Sequence, residues 1–203
     1  MNLIEKLGIN PDYAEFMEEN LKEQIVKMQS EIKTEFYPAM NKIFRFLISN
    51  PKVVIVGQDP YPQPGVATGI AFAVKNGTHI PPSLEEIIFA LEEQFGKKIE
   101  SFDTGLSHWI EQGVMLMNSS LTVAANQPGS HSLLWDKFVT NLILHIDIKY
   151  KPKWVLLGRK AQKFKSLVPN AYEDYHPVAN SYGGKKLFTG EFFKQIKEIE
   201  WIT

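Results

Sequence analysis

The sequence predicts an α/β fold: a single domain built as a three-layer sandwich, with a central, mostly parallel four-stranded sheet flanked by helices. Three observations carry this reading. Short apolar runs at Val53–Val56, Val114–Met117 and Lys153–Leu157 have the pattern of strands covered on both faces. Segments of helical periodicity separate them, and strand alternating with helix implies parallel strands joined by right-handed crossovers. Two of the runs stop at a glycine, Gly57 and Gly158, which opens a turn at the strand end where such sheets bind ligands.

Taken in order, Tyr13 to about Lys33 reads as a charged helix with Phe16, Leu21, Ile25 and Met28 on its apolar face, and Asn41–Ile48 as a second, shorter one. Residues 1–50 are thus a helical prelude to a sheet core over residues 51–200. Val53–Val56 is the first strand, and Gly69-Ile-Ala-Phe-Ala-Val74 also has strand character. Ser83-Leu-Glu-Glu86 matches a capping box, opening a helix that runs to Phe95 and stops at Gly96. Leu106–Gln112 adds a turn or two of helix before the strand Val114–Met117. Leu134 to about Tyr150 is a long helix with Leu134, Phe138, Leu142 and Ile146 on one face. The strand Lys153–Leu157, a helix over Lys160–Leu167 and a short strand at Tyr172–Tyr175 lead to His176-Pro177. Parallel strands then deliver Gln58-Asp59, Asn118 and His176 to one edge of the sheet.

At 203 residues the chain should bury roughly 70% of its unfolded surface, enough for one core without staples. It has no cysteine, which excludes disulfides, thiolate metal sites and a cysteine nucleophile. The N-terminus lacks a basic region followed by a long apolar run, and no stretch approaches a membrane span, so the expectation is a cytoplasmic protein with no membrane association. A net charge of −1 argues against gripping nucleic acid with a broad basic face, leaving only local phosphate contacts.

The richest segment is Lys52-Val-Val-Ile-Val-Gly-Gln-Asp-Pro-Tyr-Pro62. Pro60 and Pro62 withhold backbone N–H groups and push Asp59 and Tyr61 toward extended conformations, so no helix absorbs them. Asp59 is thereby aimed at the cleft beyond the strand end. Alone, an aspartate after a strand also reads as a turn or capping residue. Its company narrows the choice: Gly57-Gln-Asp-Pro-Tyr61, Gly69-Ile-Ala-Phe-Ala-Val74, Ile80-Pro-Pro-Ser83, Asn118-Ser-Ser-Leu-Thr-Val123 and His176-Pro177 occur in this order. With these words, from about residue 35 to about residue 195, the chain resembles the family 1 uracil-DNA glycosylases as a divergent member.

The resemblance implies a hydrolase that removes uracil from DNA and leaves an abasic site, as in base excision repair, with base flipping and without a cofactor or metal. Asp59 would orient the attacking water and stabilise the oxocarbenium-like sugar, and His176 would donate to uracil O2. Asn118 would pair with N3–H and O4, Tyr61 would exclude the thymine methyl, Phe72 would stack on the base, and Gln58 would add a contact to it. Pro81, Pro82 and Ser83 match the loop that pinches the DNA backbone; Lys185 and Lys186 are further phosphate contacts or simply a solvated pair. Asn180 and Ser181 stand where the family inserts a leucine wedge into the duplex. The implied partners are uracil-containing DNA, single- or double-stranded, and a DNA-mimic inhibitor protein, with the enzyme a monomer.

Three positions depart from the family: Pro62 for a histidine, Asn180 for the leucine wedge, and Thr68 for another histidine. An amide at 180 could hydrogen-bond the widowed base but offers less apolar contact, so the expectation is a stronger preference for single-stranded substrate and a weaker grip by the inhibitor. The alternative is a catalytically weak uracil- or DNA-binding module of the same fold acting through a protein partner; a pure binder would not need Asp59. A nucleotide-binding protein fits less well, because Gly57-Gln-Asp-Pro-Tyr-Pro62 is not a phosphate-cradling loop.

Overall fold

The computed structural model describes residues 3–182 and 187–202, with the backbone alone at Ser181 and Tyr182. In chain order its elements are α1 (Leu3–Lys6), α2 (Ala14–Glu31), β1 (Phe36–Tyr37), β2 (Val53–Gly57), α3 (Pro82–Phe95), α4 (Ser107–Glu111) and β3 (Val114–Asn118). They continue with β4 (Val123–Ala124), α5 (Ser132–Tyr150), β5 (Lys153–Leu157), α6 (Arg159–Gln162), β6 (Tyr172–Asp174) and α7 (Phe192–Gln195). The main sheet has four strands in the order β3-β2-β5-β6, every neighbouring pair parallel. Strands β1 and β4 form a separate antiparallel ribbon.

The two-residue period of the strands sorts their side chains between two cores. Val54 and Val56, Met115 and Met117, and Trp154 and Leu156 join one cluster with Phe16 and Leu21 of α2 and Phe138 and Leu142 of α5. Val53 and Ile55, Val114 and Leu116, and Val155 and Leu157 join the other, with Leu84, Ile87 and Leu91 of α3, Trp109 of α4 and Phe192 and Phe193 of α7. Both faces are therefore covered, which is why these strands read as unbroken apolar runs rather than alternating ones. Ile55 is 2% exposed, and truncating it to alanine should cost about 2–5 kcal/mol. Helices α2 and α5 are also pinned by polar contacts: Gln24 Nε2 donates to the Leu134 carbonyl (3.2 Å) and Asn141 Nδ2 to Asn20 Oδ1 (3.0 Å). No described helix is long and apolar enough to cross a membrane.

Several elements differ from the sequence expectations. Asn41–Ile48 is not an α-helix: a 3-10 turn at Met40–Lys42 passes into turns closed by Arg45 N–H to Lys42 O and Leu47 N–H to Phe44 O. Ile43, Phe44, Phe46 and Leu47 are all buried, so packing decided the backbone there. Gly69–Val74 is not a strand; Phe72 sits in the left-handed region at φ 65°. The helix expected over Lys160–Leu167 divides into α6 and a 3-10 segment, Lys163–Ser166. The capping box at Ser83 and Glu86 does not form. Helix α3 starts two residues earlier, with Pro81 in place of Ser83 as N-cap and Pro82 at the first helical position, where a missing N–H costs nothing. Pro81 O accepts from Leu84 and Glu85 N–H, which frees both Ser83 and Glu86 side chains for other partners.

Candidate active site

The site grows from the carboxyl ends of β2, β3 and β5 and the segment after β6. Gly57 pairs in register with Asn118, and beyond them Ser119 N–H donates to Gly57 O (3.0 Å), while Ser120 N–H and Ser119 Oγ donate to Gln58 O (3.0 and 2.9 Å). The two strand ends are thus stitched together past the last ladder pair. A side chain at 57 would put its Cβ 2.8 Å from both Asn118 Oδ1 and Phe72 Cζ. The glycine is required because these two groups close over it. Gly158, at φ 82°, plays the same part for His176, whose Cβ would lie 2.8 Å from an added Cβ.

A cavity of about 560 Å³ opens over these strand ends, and Gln58, Asp59, Tyr61, Phe72, Asn118 and His176 all line it. Tyr61 Oη donates to the Phe72 carbonyl (2.9 Å) and, its only proton so used, accepts from Ser83 Oγ (3.0 Å). Ser83 is therefore a lock on Tyr61 rather than a helix cap. Burial pushes the Tyr61 phenol up to about 12, with Ser83 opposing the shift. The Phe72 ring lies 5.9 Å from the His176 ring, tilted by 44°. Pro62 O accepts from Asn126 N–H (3.0 Å), tying the acidic loop to the segment after β4.

Asp59 Oδ2 accepts from Gln58 Nε2 (2.8 Å), while Oδ1 is buried with no hydrogen-bond partner among the described residues. Burial raises its pKa; the Gln58 amide, the charge of Lys160, the Gly129 N–H and His131 oppose the shift and lose to it. His176 moves the other way: burial pushes its imidazole down to about 4, so it is neutral at pH 7. Its Nδ1 accepts from Val178 N–H (3.3 Å), which puts the proton on Nε2 and makes that nitrogen a donor. The site thus brings the Asp59 carboxyl and a neutral imidazole donor into one cavity. Among the described residues no group of three or more His, Asp or Glu could hold a metal ion.

Of the residues matched to DNA contact, Pro81, Pro82 and Ser83 line the cavity. Asn180 does not line it; its amide is engaged within the protein. Its Nδ2 donates to Glu86 Oε2 (2.9 Å) and Phe188 O (3.2 Å), and its Oδ1 accepts from Leu187 N–H (2.7 Å) and Phe188 N–H (2.8 Å). Two donors and two acceptor positions are all an amide has, so none is left for a base. The side chain of Ser181 and the whole of Lys185 and Lys186 lie outside the described residues.

Sequence reasoning named Thr68 without a role and missed two further contributors, Lys160 and His131. Thr68 Oγ1 accepts from Ile70 N–H (3.3 Å) and faces the Ala73 carbonyl (3.2 Å), folding the loop that presents Phe72. Lys160 Nζ donates to Ser132 Oγ (2.7 Å), and its charge favours ionised Asp59. His131 is buried against Thr122, which also accepts from Trp135 Nε1 (2.7 Å). For Lys160 a signal existed: it follows the second strand-then-glycine word, as Asp59 follows the first.

The chain is similar to known proteins. A family model described as the uracil DNA glycosylase superfamily matches residues 44–198. A uracil-DNA glycosylase of Azobacteroides pseudotrichonymphae is 41% identical over 162 residues, covering 74% of this chain and 71% of that protein. One from Streptococcus pneumoniae is 38% identical over 184 residues, covering 82% and 83%. Among solved structures, a mimivirus UNG variant in complex with UGI superposes with a TM-score of 0.81 at 27% identity, covering 98% of this chain and 86% of that one. The mimivirus uracil-DNA glycosylase by itself gives 0.79 at 26% identity, with 98% and 85% covered. The family model spans the strand ends that carry Asp59, Asn118 and His176, and the relatives align over most of their own length: the chain belongs to the uracil-DNA glycosylase superfamily.

Proposed function

We infer that this protein is a monofunctional uracil-DNA glycosylase, a hydrolase that cuts the N-glycosidic bond of uracil in DNA during base excision repair. The observation that carries the reading is the convergence, in one cavity, of half-buried Asp59, the Asn118 amide and the neutral His176 donor, in a chain whose relatives bear that name. Breaking the bond leaves positive charge on the sugar and negative charge on the base. Ionised Asp59, with Oδ1 unpaired among the described residues, suits both the first charge and the proton of an attacking water. The Nε2–H of His176 suits the charge growing on uracil O2, without a full proton transfer.

Asn118 presents an acceptor for N3–H and donors for O4, a pattern cytosine reverses. Such a mismatch of buried partners discriminates by about 10⁴ or more. A methyl group is harder to reject by binding alone, and Tyr61, held at its hydroxyl by Phe72 O and Ser83, is the rigid obstruction to thymine. Gln58 and Phe72 complete the base pocket. A base inside a duplex must first be flipped out at a cost of a few kcal/mol, which Pro81, Pro82 and Ser83 at the rim would help offset through the DNA backbone. A mimivirus relative forms a complex with UGI, and a DNA-mimic protein of that kind is the inhibitor partner proposed for this chain.

The test is single-turnover release of uracil from a short single-stranded oligonucleotide, with Asp59→Asn as control. Loss of one preorganised electrostatic group should slow the wild-type reaction by on the order of 10²-fold or more. Wild type and variant equally inert, yet both binding the oligonucleotide, would instead favour a binding module.

A further inference from the structure

His176 is held in an unusual way for a residue of its proposed importance. Among the described residues its imidazole makes a single hydrogen bond, Nδ1 accepting from Val178 N–H at 3.3 Å, and its carbonyl accepts from Ala179 N–H at 2.8 Å. Both donors belong to the 3-10 helix Pro177–Tyr182. No carboxylate or carbonyl among the described residues fixes the ring from outside; beyond its packing on Phe72 and Gly158, its orientation and tautomer depend on what fixes that helix.

Among the described side chains of this helix, that of Asn180 anchors it. Its amide, fully satisfied by four hydrogen bonds, joins the helix to Leu187 and Phe188 on one side and to Glu86 of α3 on the other. Thr189 and Gly190, which follow, are fastened in turn by Asp174, the last residue of β6: its Oδ2 accepts from Thr189 N–H (3.1 Å) and Gly190 N–H (2.8 Å). Glu86 lies one helical turn beyond Ser83, so the two share a face of α3. Ser83 holds Tyr61 at its hydroxyl. One rigid helix therefore supports the thymine gate through Ser83 and the His176 segment through Glu86.

We propose that Asn180 is a positioning residue, a latch to Glu86 that sets the orientation and tautomer of His176, and not a probe that enters the DNA. The proposal rests on the glycosylase reading for its kinetic consequence, but the latch itself can be tested without it. A DNA probe would matter only where there is a stack to fill. A latch matters on every substrate, because a small misplacement of a catalytic group is enough to slow chemistry.

The experiment compares single-turnover rates on matched single-stranded and duplex uracil oligonucleotides for wild type, Asn180→Asp, Glu86→Ala, Glu86→Gln and the double variant Glu86→Gln/Asn180→Asp. Asn180→Asp sets two carboxylates against each other, and Glu86→Ala removes the acceptor from the helix side should the first variant fold poorly. Each should lower kcat by on the order of 10- to 100-fold on both substrates alike, with KM little changed. Glu86→Gln still offers an acceptor and should be near wild type. In the double variant the amide introduced at position 86 donates to the new carboxylate at position 180, while the bond to the Phe188 carbonyl stays lost, so part of the rate should return. Independently, ¹⁵N NMR should show His176 as the Nε2–H tautomer in wild type and the double variant, and as a mixture in Asn180→Asp. Loss confined to duplex substrate, or no recovery in the double variant with the tautomer unmoved, would overturn the proposal. An inert wild type would count against the glycosylase reading, and the NMR arm would then decide the latch alone.

Discussion

Gly158 and His176 are packed so closely that a Cβ at position 158 would stand 2.8 Å from the His176 Cβ. The glycine also sits at φ 82°, a conformation that disfavours any side chain. Gly158→Ala is therefore wrong twice over. It should lose more than ~1 kcal/mol of stability and push His176 away from the cavity, so that the excision rate falls further than the melting temperature alone would account for. Chemical denaturation and single-turnover kinetics on the same preparation check this.

Tyr61 is predicted to set the uracil-to-thymine ratio. Tyr61→Ala should permit slow thymine release from a single-stranded oligonucleotide, at some cost to the uracil rate. Ser83→Ala leaves the bond from Tyr61 to Phe72 O in place and should show the same change more weakly. Product chromatography on paired uracil and thymine substrates measures both.

Asp59 should be an activity residue held at the expense of stability. Burial lifts its folded-state pKa above the ordinary 3.8, so the fold favours the protonated acid. The stabilising contribution of that acid is complete below the unfolded pKa and is lost as pH rises through the folded one. Asp59→Asn, inactive, should consequently melt higher than wild type at pH 7, and the difference should close in acid.

Lys160 should shift the acid limb of the pH–rate profile. Its charge favours ionised Asp59, so Lys160→Met should raise the apparent pKa for activity and move the limb toward neutrality, while Lys160→Arg should leave it nearly in place. Above the acid limb of both proteins the two rates should converge.

His176 should titrate near 4 rather than near 6.5. Folding thus prefers the neutral ring, and that stabilisation, on the order of 3 kcal/mol at its limit, is present above pH 6.5 and disappears as pH falls through 4. An NMR titration should show the His176 ring unprotonated at pH 5.5, and stability should decline across that window less steeply in His176→Gln.

Much of this was legible in the chain. The runs at Val53, Val114 and Lys153 fell where strands form, because a parallel strand buried on both faces has little choice but to be apolar throughout. The glycines that end two of them pointed to the site. What misled was local grammar overridden by packing: the apolar cluster at Ile43–Leu47 is buried without becoming an α-helix, and the Ser83 and Glu86 side chains do not box the start of α3. Each instead serves a residue distant in sequence, Tyr61 and Asn180, and no pattern within a few residues reveals such a partner.

Periodicity, turn chemistry and the order of motifs along the chain were enough for the fold class, the superfamily and the residues that meet at the sheet edge. What those side chains do with their hydrogen bonds became visible only in the folded molecule. There Asp59 Oδ1 is unpaired among the described residues, His176 is neutral with its proton on Nε2, Lys160 stands behind the carboxylate, and the Asn180 amide is wholly spent inside the protein. Protonation and hydrogen-bond satisfaction depend on burial and on neighbours brought together from different elements, and those exist only once the chain has folded.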